Sequence, residues 1–198
     1  MTDDLSFKCQ CGGVTGLLRD VATLTGDHLV CHCSDCLAFL RFCNRAQAPA
    51  VIDGVQLFLT RVSRMVITTG KSELACVHLT QKPMLRWYAQ CCPTPLFHTV
   101  HSGWYPFVTT HVATLDPERR GEAIGKPRGH TFVDDVATVQ RSFRTVSRNS
   151  IMARFIVGMW KDLLSGDFRR AELFEPRSLR PIVSPKRLSP SERAEIEA

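Results

Sequence analysis

The sequence lacks any apolar run long enough to cross a membrane. A membrane-spanning helix needs about 20 mostly apolar residues, and no window here reaches about 18 in succession. The first four residues, Met1-Thr2-Asp3-Asp4, are acidic where a secretory signal would be basic, and no apolar segment follows them. We therefore expect a cytoplasmic protein without a membrane span.

The sequence also lacks internal repeats and recognisable nucleic-acid-binding motifs. The formal net charge is +6, and many of the cations lie in the last third of the 198 residues. A basic surface can attract nucleic acids or small anions. Because no motif accompanies the charge, we interpret it as a solvated helix face and do not expect nucleic acid as a partner. A homo-oligomer is compatible with the sequence.

Residues 5–115 are rich in short β-type runs. They carry β-branched and aromatic residues, are separated by glycines, and include residues 51–52, 55–59, 65–69 and 107–112. The spacing predicts a small β domain over residues 1–120.

The chain changes character in its last third. After Asn149, apolar residues recur in pairs four positions apart: Ile151-Met152, Phe155-Ile156, Met159-Trp160 and Leu163-Leu164. This spacing predicts an amphipathic helix that is capped by Asn149 or Ser150 and ends at Gly166. We expect the helix to pack on the core of the domain; a dimer surface or a lid over a ligand pocket are the functional alternatives.

The predicted fold class is mainly β with a C-terminal helical extension, α+β overall. The extension covers residues 121–184 and packs on the β domain. Residues 185–198 are polar and contain prolines, so a loose tail is predicted there.

Nine cysteines in a chain without a predicted secretory signal favour metal ligands over disulfides. Seven of them form three groups: Cys9 and Cys11; Cys31, Cys33 and Cys36; Cys91 and Cys92. Gly12 and Gly13 suit a backbone that turns sharply beside a metal. Cys43 and Cys76 stand alone and are predicted to be small buried hydrophobes.

The middle group has the spacing of a zinc-binding loop. Zinc favours thiolates, and Cys31, Cys33 and Cys36 form a C-x-C pair that overlaps a C-x-x-C pair, so one loop can present three sulfurs to one ion. Three protein ligands leave one position open, as in catalytic zinc sites. We expect His32 to have a loop or second-shell role, although as a fourth ligand it would close the site. Asp35 is predicted to hold the turn by hydrogen bonding.

The three groups together resemble the motifs of the glutathione-dependent formaldehyde-activating enzymes, a family that includes centromere protein V. The family pattern contains C-x-C-G, C-H-C-x-x-C and an aromatic-C-x-x-C-G-T-P-L segment. Residues 9–12, 31–36 and 86–97 match these motifs in order. The resemblance covers about residues 5–115.

The resemblance implies a β-tent fold with two zinc ions and chemistry on a thiol adduct of formaldehyde. It places Cys31, Cys33 and Cys36 on the reactive zinc. The remaining matched cysteines, Cys9, Cys11 and Cys92, fall on a closed structural site.

The third motif departs from the family pattern. Ala89 stands where the family has a cysteine, Pro93 stands where it has a glycine, and Cys91 is an additional thiol. Three outcomes are open: Cys91 completes the structural site, His98 or His101 completes it, or this zinc is absent. The chain is therefore expected to bind one or two zinc ions.

The leading hypothesis is a zinc-dependent carbon–sulfur lyase-like enzyme that acts on a glutathione-type thiol adduct of a small aldehyde. Arg41, Arg45 and Arg86 are candidates to bind substrate carboxylates, or else are solvated surface charges. The alternative is a non-enzymatic zinc-stabilised module whose basic C-terminal helix binds protein or nucleic acid. A fourth protein ligand on the middle group would favour that alternative.

Overall fold

The computed structural model describes residues 3–44, 53–135 and 143–197. The strands are β1 (Asp3–Lys8), β2 (Thr15–Val21), β3 (Asp27–Cys31), β4 (Val55–Arg61), β5 (Met65–Thr69), β6 (Leu74–His78), β7 (Met84–Ala89), β8 (Thr94–Val100), β9 (Phe107–His111), β10 (His130–Thr131) and β11 (Lys186–Arg187). The α-helices are α1 (Ser34–Asn44), α2 (Arg120–Ile124), α3 (Arg148–Ser165) and α4 (Pro190–Glu197).

The strands form two sheets. One has three strands in the order β1-β2-β5, and the other has eight in the order β10-β3-β4-β9-β8-β7-β6-β11. Neighbouring strands run antiparallel except at the two ends of the larger sheet, where β10 and β11 are parallel to their neighbours. The predicted fold class, mainly β with a C-terminal helix, is confirmed.

The described parts of the predicted β-type runs lie in strands, apart from Val112, which begins a short 3₁₀ helix. Residues 55–59, 65–69 and 107–111 fall in β4, β5 and β9, whereas residues 51–52 lie outside the described residues. The β-branched and aromatic side chains favour these strands because they pack well on a pleated surface.

The main core contains side chains from both sheets. The ring of Phe7 from β1 meets that of Phe97 from β8 edge to face, with centroids 5.0 Å apart. Trp87 of β7 is fully buried, and its indole N–H donates a hydrogen bond of 2.9 Å to the Thr99 hydroxyl. Burying each large apolar side chain contributes about 2–3 kcal/mol, so these contacts hold the sheets together.

The ends of α3 follow from local sequence. The hydroxyl of Ser147 accepts a hydrogen bond of 3.2 Å from the backbone N–H of Ser150, so Ser147 is the N-cap rather than Asn149 or Ser150. Gly166 adopts φ 77° and ends the helix as predicted. No helix within the described residues combines the length and apolarity needed to cross a bilayer.

The packing of α3 differs from the expected burial of its apolar residues. The fully buried side chain of this helix is Asp162, which forms an ion pair with Arg61 of β4. Phe155 contacts Phe107 with ring centroids 4.7 Å apart, but Trp160 is 55% exposed. Ion pairs and one edge of the apolar face hold the helix on the sheet, while much of that face points outward.

The loose tail predicted for residues 185–198 is wrong. β11 pairs with β6, and α4 lies against α1, where Arg193 forms an ion pair of 3.2 Å with Asp35. Leu188 is buried, and Ile196 packs on the same cluster of apolar residues. Leu188 precedes α4, so it forms no helical stripe with Ile196, and their packing was not visible in the sequence. The boundary proposed near residue 120 stays a prediction.

We expect the contact between α4 and α1 to stabilise the fold measurably. The double substitution Ile196→Ala/Arg193→Ala should lower the free energy of unfolding by about 2 kcal/mol, because it removes apolar burial and an ion pair. This loss corresponds to a melting temperature lower by about 4–8 °C in a thermal unfolding scan. Arg177→Ala, at an exposed cation, should change nothing. An unchanged melting temperature for the double variant would mean that α4 contributes no stability.

Candidate metal centres

Four cysteine sulfurs from two turns lie together at one end of the three-stranded sheet. The Sγ–Sγ distances are 3.6 Å for Cys9–Cys11, 3.8 Å for Cys9–Cys91, 3.4 Å for Cys11–Cys91 and 3.9 Å for Cys91–Cys92. Zinc–sulfur bonds of about 2.3 Å in a tetrahedron would place the sulfurs about 3.8 Å apart. This four-cysteine site could therefore hold a metal ion.

Glycines let the first turn approach the sulfurs. Gly12 adopts φ 79°, which favours glycine, and a Cβ on Gly13 would lie 3.1 Å from Cys91 Sγ. The backbone N–H of Val14 lies 3.2 Å from Cys9 Sγ, and that of Cys11 lies 3.5 Å from Cys92 Sγ. Both sulfurs thus accept hydrogen bonds from the backbone.

Cys91 is the residue that completes this group. The adjacent Cys91 and Cys92 both reach it because they lie in the turn between β7 and β8 rather than in extended backbone. Ala89, which replaces the family cysteine, is buried at the end of β7. His98 lies in the core beside Arg86, and Cys91, not His98, joins the four-cysteine group.

The middle group forms a separate three-cysteine site. Cys31 ends β3 and Cys36 lies in the first turn of α1, with Cys33 between them; the three sulfurs lie within 4.8 Å of one another. Cys31 and Cys36 are buried, whereas Cys33 is half-buried. Within the described residues, no further cysteine, histidine or carboxylate joins this metal-binding group.

His32 lies away from the three sulfurs. Its Nε2 is 2.8 Å from Nδ1 of His130, and its ring stacks on those of His130 and Phe143. Neighbouring side chains of extended backbone point to opposite faces, so Cys31 and His32 diverge. The predicted loop role of His32 agrees with this position.

Asp35 has a different role from the predicted one. Its carboxylate pairs with Lys82 at 2.8 Å and with Arg193 at 3.2 Å, rather than holding the turn. It therefore connects the first turn of α1 to the loop before β7 and to α4.

Arg86 lies directly beside the three-cysteine site. It is 5% exposed, and its Nη1 is 3.5 Å from Cys36 Sγ, so it is not a solvated surface charge. Hydrogen bonds from the Cys31 and Cys33 thiols, together with the Arg86 cation, hold the pKa of Cys36 well below its ordinary value. Hydrogen bonding with Cys33 and Cys36 raises the pKa of Cys31. The three thiols are thus inequivalent, and Cys36 is the one whose pKa is lowered.

Arg86 also begins a buried chain of hydrogen bonds. Its guanidinium can only donate, so Nδ1 of His98 accepts, and Nε2 of His98 carries the proton. That Nε2–H donates to Nε2 of His111 at 2.8 Å. Burial, together with nearby positive charge, holds the pKa values of both histidines well below the ordinary value. The chain of donors therefore runs in one direction, from the cation through two neutral imidazoles.

The other sequence candidates have mixed outcomes. Arg41 is half-buried on α1, and Arg45 lies outside the described residues. Cys43 and Cys76 are buried as predicted, and burial raises the pKa of both thiols. Sequence reasoning missed Lys82, which lies in a loop without a motif.

In metal-free protein, Cys91 and Cys92 of the four-cysteine site should have different pKa values. Burial acts to raise the pKa of Cys92, but hydrogen bonds from Thr94 and the Cys11 amide lower it to about 6. Hydrogen bonding with Cys11 raises the pKa of Cys91 to about 12. Because the thiolate is the nucleophile, alkylation of Cys92 by iodoacetamide should be half-maximal near pH 6 and fall below it, while Cys91 should react slowly up to pH 9.

Peptide mass spectrometry of alkylated, metal-free protein checks this prediction. Cys92→Ser should remove the labelling seen at low pH. If Cys91 and Cys92 both titrated near the ordinary value of about 8.5, the arrangement of hydrogen bonds would be contradicted.

Comparison with known proteins places the chain in a family. Comparison with curated proteins finds no match. A Rhodobacter sphaeroides protein, solved crystallographically as a structural genomics target, is 19% identical, with a TM-score of 0.40, over 60% of this chain and 96% of its own. A likeness at this level carries no argument about function. The profile of a family of unknown function (DUF6151) matches residues 1–183, so the chain belongs to that family.

Proposed function

We propose that the protein is a zinc-dependent carbon–sulfur lyase-like enzyme that acts on the adduct of a glutathione-type thiol with a small aldehyde. The observation that carries the proposal is the difference between the two sites. One group has four sulfurs, whereas Cys31, Cys33 and Cys36 have no fourth protein ligand among the described residues. The motif resemblance to the glutathione-dependent formaldehyde-activating enzymes supports the same assignment.

Zinc is the metal that suits both donor sets. Thiolates favour zinc, and sulfur separations of 3.4–3.9 Å in the four-cysteine site suit tetrahedral coordination. That site would have a structural role. At the three-cysteine site, bound zinc supplies a Lewis acid with one position free for a substrate sulfur or oxygen.

The half-buried Cys33 marks the side from which a substrate can approach. Cys31 and Cys36 are buried, so the route to the three sulfurs passes Cys33. Lys82 lies on this side and interacts electrostatically with Cys33, and its side chain is 67% exposed. The ammonium group of Lys82 would attract the carboxylates of a glutathione-type thiol to this opening.

Arg86 would balance the charge of the site during the reaction. In adduct formation, the thiol sulfur bonds to the carbonyl carbon, and the S–H proton moves to the carbonyl oxygen; breakdown reverses both changes. Three thiolates make a zinc site anionic and a weaker Lewis acid than one with three neutral histidines. The buried Arg86 cation offsets part of that charge. The combination favours exchange of thiols over activation of water for hydrolysis.

The alternative hypothesis, a non-enzymatic zinc-stabilised module, has less support. A fourth protein ligand at the three-cysteine site would favour it, and His32 is the nearest candidate in sequence. The Nε2 atom of His32 instead faces His130 at 2.8 Å. The open position therefore favours the enzyme.

We expect two zinc ions per chain by elemental analysis. Cys31→Ser/Cys36→Ser and Cys11→Ser/Cys91→Ser should each retain one, because each pair of substitutions removes two of the ligands of one site. Cys43→Ala/Cys76→Ala, at buried cysteines outside both sites, should retain two. Wild-type protein that binds only one zinc, which Cys31→Ser/Cys36→Ser still retains, would exclude zinc at the three-cysteine site.

The activity itself can be measured by exchange NMR with ¹³C-formaldehyde and glutathione. Zinc-loaded protein should accelerate exchange between free aldehyde and adduct, and Cys33→Ser should abolish the acceleration. Arg86→Met should reduce it about 10–100-fold and weaken zinc binding at this site, as is typical when a second-shell partner is lost. Cys43→Ala is the matched control. Protein with two bound zinc ions that leaves the exchange rate unchanged would refute the lyase assignment.

A further inference from the structure

Helix α3 turns much of its apolar face outward and buries its one carboxylate, unlike an ordinary surface helix. A helix on a globular domain buries its apolar stripe and exposes its charges. In α3 the fully buried side chain is Asp162, whereas Leu164 is 82% exposed and Val157 is 60% exposed. Burial of the carboxylate with Arg61 fixes this orientation. Folding alone therefore does not account for the apolar residues of α3.

The exposed apolar side chains of the protein are concentrated around this helix. Nine large apolar side chains are exposed among the described residues: Met152, Ile156, Val157, Trp160 and Leu164 on α3, and Leu24, Trp104, Tyr105 and Phe132 elsewhere. Met152, Ile156, Trp160 and Leu164 are spaced four residues apart and form one stripe. We call these nine residues the α3 face.

Contacts connect two of the four residues outside α3, Trp104 and Phe132, to the two ends of the helix. Trp104 stacks on Phe168, just beyond the end of α3, with ring centroids 5.4 Å apart. The guanidinium of Arg148, at the start of α3, lies 5.3 Å from the centroid of Phe132. Residues from both ends of α3 thus belong to the same surface.

A groove completes the surface between α3 and the loop before β3. It has a volume of about 330 Å³, and Leu24 and Val157 both line it. The side chain of Arg154 crosses from the helix to this loop and donates a hydrogen bond to the carbonyl oxygen of Gly26. The groove therefore places Leu24 beside Val157 on the α3 face.

The charges along α3 have one sign. Its exposed charged residues are Arg148, Arg154 and Lys161, and its one acid, Asp162, is buried. Arg154 already pairs with Asp27 at 3.0 Å, so Arg148 and Lys161 are the cations that can meet a partner surface. Two copies meeting through α3 would place cations against cations, with no exposed acid on the helix to pair with them. An anionic surface, in contrast, would complement both the apolar stripe and the cations beside it.

We propose that the α3 face docks on an anionic phospholipid surface, with α3 lying in the plane of the bilayer interface. An 18-residue helix is about 27 Å long, with aliphatic side chains and Trp160 on one side and cations beside them, which is the pattern of interfacial helices. Trp104 and Tyr105 add aromatic groups of the kind enriched at the membrane–water boundary. The inference is independent of the zinc sites.

Vesicle sedimentation with the full chain tests the proposal. Vesicles of phosphatidylcholine and phosphatidylserine at 70:30 should bind the protein at least tenfold more tightly than phosphatidylcholine alone. Binding should weaken in 0.5 M salt, because screening reduces attraction between exposed charges. Fluorescence emission should shift to the blue on binding, since Trp104 and Trp160 are exposed whereas Trp87 is already buried.

Matched variants separate the two contributions to binding. Ile156→Gln/Trp160→Gln/Leu164→Gln should lose at least tenfold in affinity, and the single change Trp160→Gln serves if the triple variant does not fold. Arg148→Gln/Lys161→Gln should lose about fivefold per cation. Lys8→Gln/Lys186→Gln removes two exposed cations on β1 and β11 and should bind like the wild type. Zinc content should be the same in all of these variants, so the vesicle test is separate from the test of lyase activity.

Three results would overturn the proposal. One is failure to bind vesicles of either composition. Another is equal binding by the wild type and the triple glutamine variant. The third is a concentration-dependent dimer in analytical ultracentrifugation that the triple variant abolishes, without vesicle binding, since the α3 face would then pair two copies.

Discussion

Sulfur atoms held within 4.8 Å of one another repel once they are deprotonated, and both cysteine groups of this protein are built on that constraint. At the four-cysteine site, backbone N–H groups and solvent moderate the charge, and four sulfurs can enclose an ion. At the three-cysteine site, two of the sulfurs are buried, and the guanidinium of Arg86 supplies the nearest positive charge. A buried cation is stable only beside such negative charge, so Arg86 and the thiols require each other. Behind Arg86, burial and the nearby cation disfavour protonation of His98 and His111. The positive charge therefore stays on the guanidinium, next to the sulfurs.

Much of this arrangement could be predicted from the sequence, for physical reasons that differ between residues. Cys31, Cys33 and Cys36 are close in sequence, so the conformation of one loop is enough to bring their three sulfurs together. The strands were predictable from the composition of short segments. The end of α3 at Gly166 was predictable because glycine readily adopts the left-handed conformation that ends a helix. The sequence offered Cys91 as one candidate for the fourth ligand beside Cys9, Cys11 and Cys92. It could not decide between Cys91 and a histidine, because that depends on the geometry of the turn between β7 and β8.

What the sequence did not reveal depends on contacts between distant segments. Arg86 faces His98 because the turn between β7 and β8 sets that register, and only the assembled sheet brings both beside the thiols. The orientation of α3 depends on the contact between Asp162 and Arg61, which are 101 positions apart in sequence. Apolar periodicity predicted the helix correctly but assigned its face to the core. Residues 186–197 fold because the edge of β6 and the surface of α1 supply partners, which their own composition does not.

The two parallel end strands of the larger sheet have a consequence for solubility. An open sheet edge presents unpaired N–H and C=O groups to which other chains can add strands. Here β10 covers β3 at one edge and β11 covers β6 at the other, and each is only two residues long. Such short strands offer little template for further pairing. Because β10 and β11 both follow the strands that they cover in sequence, the two edges stay open during synthesis until these residues emerge. A chain truncated before them would be prone to edge-to-edge aggregation.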